Sequence, residues 1–374
     1  MTFLSDRNLA RESLRAPLSQ RGRSSVEFLG ALQNISSGAI RPRARHDFEA
    51  DPEGARLNRA NDASNEPWAD RIAKARAVAE KYPSFRFERF YQRFVAEEQW
   101  IRSIQAVEER RPYFEAYLTS GQKDVGGTLD LDASVTEPDY YKGVEWHCEL
   151  GGWDGFDLYG PMFALVNGPM IFKYGGYAAV EHGDNIIQQR IDVLKQFPKS
   201  TYARIYEPGC GGVSTLACAY DVFPGAELVG SDLNAQLLRM GHLTANKLGI
   251  KIHFKQRDAR QTREPDQSVD AVVMYALMHE MPAVVAIDVF KEAFRILKPG
   301  GDLVMSDPPP FSAVDPFQQV ILDWDTEHRG EPFFTEACEQ DWGRHLAEVG
   351  FVGVRARGLG RRAYPFVNIA SKPT

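Results

Sequence analysis

Cysteine is scarce in this chain: Cys148, Cys210, Cys218 and Cys338 are the only four, and no two form a CxxC pair. Without a secretory apolar segment upstream, they read as reduced thiols rather than a disulfide frame. Long hydrophobic runs are missing as well. None approaches the roughly 18 residues that a membrane span requires, so no membrane partner is expected. The chain also lacks a basic excess, with 44 Lys and Arg against 51 Asp and Glu and a net charge of −7. A surface of that sign does not track phosphates, and nucleic acid is not an expected partner. The first 25 residues are rich in Arg and Ser. Asp6 and Glu12 nevertheless interrupt the acid-poor pattern of an organellar transit segment, and a cytoplasmic location is expected.

What is present is globular in composition. The 374 residues are 43% hydrophobic and 25% charged, enough for a full core and one or two domains. Residues 1–65 mix Arg, Ser, Asn and Asp with few long apolar groups apart from a short helical stretch at "VEFLGAL". They are expected to form a poorly ordered or wrapping arm, which offers a route to a homo-oligomer. Residues 66–182 read as a mostly helical substrate cap. In it Phe87, Phe90, Tyr91, Phe94 and Val95 recur at the spacing of one helical face, which continues to Trp100, Ile101 and Ile104 and is expected to face the core. "SGQKDVGGTLDLD" then breaks helicity.

From residue 183 the texture changes to apolar runs separated by helical stretches. "RIYEPG", "AELVGSDL", "KIHFKQRDA", "VDAVVMYAL", "GDLVMSD", "VGVRAR" and "YPFVNIA" read as seven strands of an α/β, mainly parallel, Rossmann-like sheet flanked by helices. Such sheets bind ligands beyond the carboxyl ends of their strands. There the first strand runs into "EPGCGGVSTLACAY", where glycines allow a tight turn ahead of a helix whose free N–H groups face a ligand. A dinucleotide fingerprint needs a glycine or alanine where Ser214 stands, which disfavours a nicotinamide oxidoreductase. Asp232 ends the second strand, where an acid can accept bonds from two ribose hydroxyls, and Asp258 and Ala259 follow the third. "RILKPGGDLVMSD" supplies a helix end, a Pro-Gly-Gly turn and the fifth strand.

In these motifs and their order, residues 200–310 resemble a class I S-adenosylmethionine-dependent methyltransferase of the small-molecule type, similar to the ubiquinone and menaquinone biosynthesis group. The resemblance implies S-adenosylmethionine as cofactor and S-adenosylhomocysteine as product. It places Glu207 near the methionine amino group, Gly209, Cys210 and Gly211 along the cofactor, and Asp232 with Leu233 at the ribose. It further places Asp258 and Ala259 at the adenine, with Tyr275 ending the fourth strand before "ALMHEMP". One departure is Val213 where the family carries a third loop glycine, with Gly212 one place early. A non-catalytic cofactor-binding scaffold is the alternative from another functional class.

A cover is needed to exclude water and align an acceptor, and "EWHCELGGWDGFDLYG", residues 145–160, is the candidate lid. Its glycines permit bends, and Trp153, Phe156 and Tyr159 offer flat walls for a planar or hydrophobic acceptor. Trp324, in the long connection after the fifth strand, is a further substrate-site candidate, with Asp307, His328 and Phe334 behind it. His279 and His147 are the candidate bases, with a hydrogen-bonded structural histidine as the other reading of each, and Glu280 either orients His279 or starts the following helix, where an acid is favourable. No metal is expected at His147, Cys148 and Glu149, because adjacent residues project in different directions. "DPPPF" resembles the signature of planar-nitrogen methylation, but it follows the fifth strand where that signature follows the fourth. A small-molecule acceptor is therefore expected.

Overall fold

The seven expected strands all form, and an eighth joins them. The computed structural model describes residues 16–60, 66–119, 124–144, 146–149, 155–175, 179–180 and 182–374. Its strands are β1 (Thr128–Asp130), β2 (Arg204–Pro208), β3 (Glu227–Asp232), β4 (His253–Gln256), β5 (Val269–Tyr275), β6 (Leu297–Asp307), β7 (Val352–Gly358) and β8 (Phe366–Ser371). They make one sheet in the order β1-β4-β3-β2-β5-β6-β8-β7. Only the pairings of β8 with β6 and β7 are antiparallel. The count of seven is thus corrected to eight: β1 comes from the region before the sheet proper and pairs in parallel with β4, Leu129 opposite Phe254.

Alternation along the strands divides the core between the two faces. Ile205, Val273 and Val304 pack on one side with Leu194 and Leu216 from helices Ile186–Leu194 and Ser214–Val222. Tyr206, Val272, Met274 and Met305 pack on the other with Phe290 and Leu346 from helices Ala283–Ile296 and Trp342–Val349. The central strands are buried on both faces, which is why they read as continuous apolar runs.

Of the two forms expected for the arm, poorly ordered or wrapping, residues 20–60 are helical and packed on the body. Helices Gln20–Ile35, Arg41–Ala50 and Pro52–Ala60 follow one another, the first two joined by a π-helical turn at Ser36–Ile40. Val26 and Leu29 pack with Trp100 and Phe114, and Ala44 and Phe48 pack with Phe85 and Phe317. The segment is therefore seated on its own chain. Helix Pro83–Glu108 forms over the expected stretch, and Val95 and Trp100 of the expected face are buried, but its first part is turned differently. Phe87 and Phe90 are 58% and 61% exposed. Glu88, Arg89 and Gln92 turn inward instead, because Arg41 Nε meets Glu88 Oε1 at 2.8 Å and Gln33 reaches Gln92 at 3.3 Å. Among the described residues no helix is long and apolar enough to cross a membrane.

Candidate cofactor cleft and histidine cluster

The sheet order reverses at β2, which has β3 on one side and β5 on the other. A crevice opens at such a reversal, above the carboxyl ends of the strands. Glu207, Gly209 and Gly211 lie there. The two glycines have φ of +62° and +57°, a left-handed turn that disfavours a side chain, and a Cβ on Gly209 would meet Leu277 Cδ1 at 2.4 Å. The Cys210 N–H donates to the Ser231 carbonyl at 2.9 Å, tying the loop to β3. Burial pushes the Cys210 thiol up, which makes it inert rather than nucleophilic.

Two carboxyls face this turn. Asp232 accepts from the Gly211 and Asn234 N–H groups, both at 2.8 Å. Burial outweighs those bonds and raises it to about 6. Glu207 is raised further, to about 8, again by burial, which Thr215 only partly offsets. Its Oε2 has no hydrogen-bond partner among the described residues. An ammonium group is the natural complement to such an acid. Asp258 is gripped by Arg260 at 2.6 Å, and Ala259 is partly buried against the core on one face of the sheet. Leu233 is half-buried and its carbonyl accepts from Gln256 at 3.0 Å. Tyr275 is buried, with the Arg190 guanidinium 4.3 Å above its ring.

A second set of polar groups gathers beside this turn. His279 follows β5, and its Nδ1 lies 2.7 Å from Oδ1 of Asp307, the last residue of β6. Burial alone would lower this imidazole, but Asp307 and Glu280 raise it to about 9. His147 enters from the region before the sheet. Its Nε2 lies 3.3 Å from Glu280 Oε1 and 3.4 Å from Glu331 Oε1, and its Nδ1 lies 3.4 Å from Glu149 Oε1. Those acids hold it well above the usual imidazole range despite its burial. Its backbone is pinned on both sides: the N–H donates to the Gly330 carbonyl at 2.7 Å, and its carbonyl accepts from Trp100 Nε1 at 2.6 Å. His147 and Cys148 have φ of +50° and +58°, a strained conformation that such restraints must hold.

Residues 205–301 match the family model described as "Methyltransferase domain". That segment is a methyltransferase domain. Sterol 24-C-methyltransferase of Pneumocystis carinii is 32% identical over 99 residues, 26% of each chain. Demethylmenaquinone methyltransferase of Thermus thermophilus is 33% identical over 88 residues, 23% of this chain and 39% of that one. The chain therefore spans about a quarter to two fifths of the length of these relatives. An O-methyltransferase family protein of Burkholderia thailandensis superimposes with a TM-score of 0.42 at 17% identity, covering 58% of this chain and 59% of that one.

Around the methyltransferase domain, the expected lid residues divide. Trp153 lies outside the described residues. Tyr159 is buried, stacks on Trp100 at 5.9 Å and donates to Glu149 Oε1 at 3.0 Å, which joins it to the histidine cluster. Phe156 is partly buried against the same helical core. Trp324 belongs to helix Pro316–His328 and packs under Arg89 at 4.5 Å and against His328 at 4.4 Å, a bridge between helices. Glu331 has no signal in the sequence that marks it, whereas Glu149 stands two residues from His147. Glu280 and Asp307 were singled out, but the convergence of residues 147, 280, 307 and 331 is a tertiary fact with no local spacing to reveal it.

Proposed function

We propose that the protein transfers a methyl group from S-adenosylmethionine to a small-molecule acceptor, with residues 183–374 as the cofactor domain and the helical region before it as the cap. The observation that carries this reading is the cradle of Glu207, Gly209, Gly211 and Asp232 at the sheet reversal, within the segment that matches the methyltransferase model. Glu207 would meet the cofactor's ammonium and Asp232 its ribose hydroxyls, while Asp258 and Ala259 flank the adenine. Cys210, Leu233 and Tyr275 line the same cleft. When bound, the cofactor supplies an electrophilic methyl on a sulfonium, already a good leaving group. Alignment then carries much of the acceleration, up to about 7–11 kcal/mol in the best cases. A nicotinamide cofactor finds Ser214 in place of the third glycine or alanine of its fingerprint, so hydride transfer is set aside.

His279 is the candidate base for a hydroxyl acceptor. Asp307 fixes its Nδ1 side, and Nε2, 3.5 Å from Glu280 Oε1, is the nitrogen that would take the acceptor's proton once the ring, raised to about 9, has lost its own. Replacing it as His279→Gln should lower kcat for a hydroxyl acceptor by about 10²–10⁴ with the KM for cofactor unchanged. A fall below about tenfold would leave transfer to alignment alone.

The transfer itself is tested with methyl-labelled cofactor, a cell extract split into small-molecule and macromolecular fractions, and the Asp232→Ala variant as control. Label in the small-molecule fraction that vanishes with Asp232→Ala supports the reading. Label in protein or nucleic acid overturns the acceptor class, and tight cofactor binding with no transfer to any fraction favours the scaffold.

A further inference from the structure

His147, Glu280 and Glu331 come from three separate segments, and one ligand atom of each lies within 4.8 Å of the others. Carboxylates outnumber imidazoles here. Glu149, Glu280, Glu331 and Asp307 surround His147 and His279, four acids to two imidazoles. Among the described residues, no Lys or Arg pairs with Glu280 or Glu331. Burying unbalanced charge is costly, and a bound cation is the usual remedy.

Two details narrow the ligand. Glu331 is 1% exposed, its Oε1 points at His147, and its Oε2 has no hydrogen-bond partner among the described residues. Oε2 of Glu280 is likewise buried without a partner. A carboxylate with an unused buried oxygen beside an imidazole is arranged as a ligand rather than as a structural acceptor. The second detail is distance. The nitrogen-to-oxygen separations of 3.3 Å and 3.4 Å are long for hydrogen bonds. A tetrahedral ion with bonds of about 2.0–2.1 Å holds its ligand atoms about 3.3–3.4 Å apart.

We propose that His147, Glu280 and Glu331 bind a first-row divalent cation of the zinc type, with a fourth position left open. One imidazole and two carboxylates suit such an ion better than magnesium or calcium, which favour all-oxygen sets. Three protein ligands and an open position are the arrangement of reactive rather than purely structural zinc sites. The site joins the cap to the methyltransferase domain, because His147 precedes the sheet while Glu280 and Glu331 follow β5 and β6.

The test needs neither cofactor nor acceptor and is independent of whether methyl transfer is found. The full chain, stripped with chelator, is titrated with zinc and with cobalt, following heat, metal content after gel filtration and visible absorption. One equivalent is expected, with the intense visible bands of four-coordinate cobalt. Glu331→Gln, which keeps the volume of the side chain, should weaken zinc binding at least a hundredfold, and His147→Gln should do the same. Each variant's melting is checked, and Glu280→Gln replaces any that fails to fold. Substoichiometric uptake by the natural chain, or one equivalent that survives these substitutions, overturns the assignment.

Discussion

Glu207 lies under the turn after β2, and burial governs its proton. Raised to about 8 in the free protein, it is mostly protonated at neutral pH. An ammonium beside it favours the carboxylate, so cofactor binding near pH 7 should release close to one proton. Calorimetry in two buffers of different ionisation enthalpy reads this directly, and Glu207→Gln should abolish the release. No release from the natural chain would remove Glu207 from the ammonium site. The stability linkage has the matching sign. The folded carboxyl titrates higher than its ordinary 4.5, so its contribution is full below that pH and is lost as pH rises through about 8. Glu207, Gly209, Gly211 and Asp232 were legible in sequence because each is tied to a strand end. The distant partners of His147, Glu280 and Glu331, were not, since residues 133 and 184 positions away are brought to it only by the sheet and the connection after it.

At the scale of elements, the strands were readable and the helical packing was not. A strand buried on both faces announces itself as an apolar run, whereas helix Pro83–Glu108 carries more aromatics than it buries. Its inward face is fixed by ion pairs among Arg41, Glu88 and Arg89, which look like solvent residues in a periodicity count. β1 has three residues, too few for any alternation to register. Its place beside β4 depends on Gly127, where a Cβ would stand 2.5 Å from the Ile252 carbonyl oxygen. Gly127→Ala should therefore push β1 from the edge and cost about 1–3 kcal/mol in urea unfolding. An unchanged midpoint would show that the edge strand contributes nothing to stability.

Across the whole molecule, one set of anchors ties the region before β2 to the connection between β6 and β7. Arg45 holds Asp315 through bonds of 2.9 and 2.8 Å, Arg76 pairs with Asp323, and Arg329 donates to Gln92 at 2.8 Å. His147 reaches the same connection through Gly330 and Glu331. Arg45 and Asp315 are 270 residues apart along the chain. On a ribosome adding about 5–20 residues per second, that separation amounts to a wait of roughly 15 to 50 seconds. During that interval the helices made first carry future core surface, and arginines without their counter-charges, into the crowded cell. The histidine cluster gains its last acid only afterwards, so a chain truncated during synthesis is left without a completed centre.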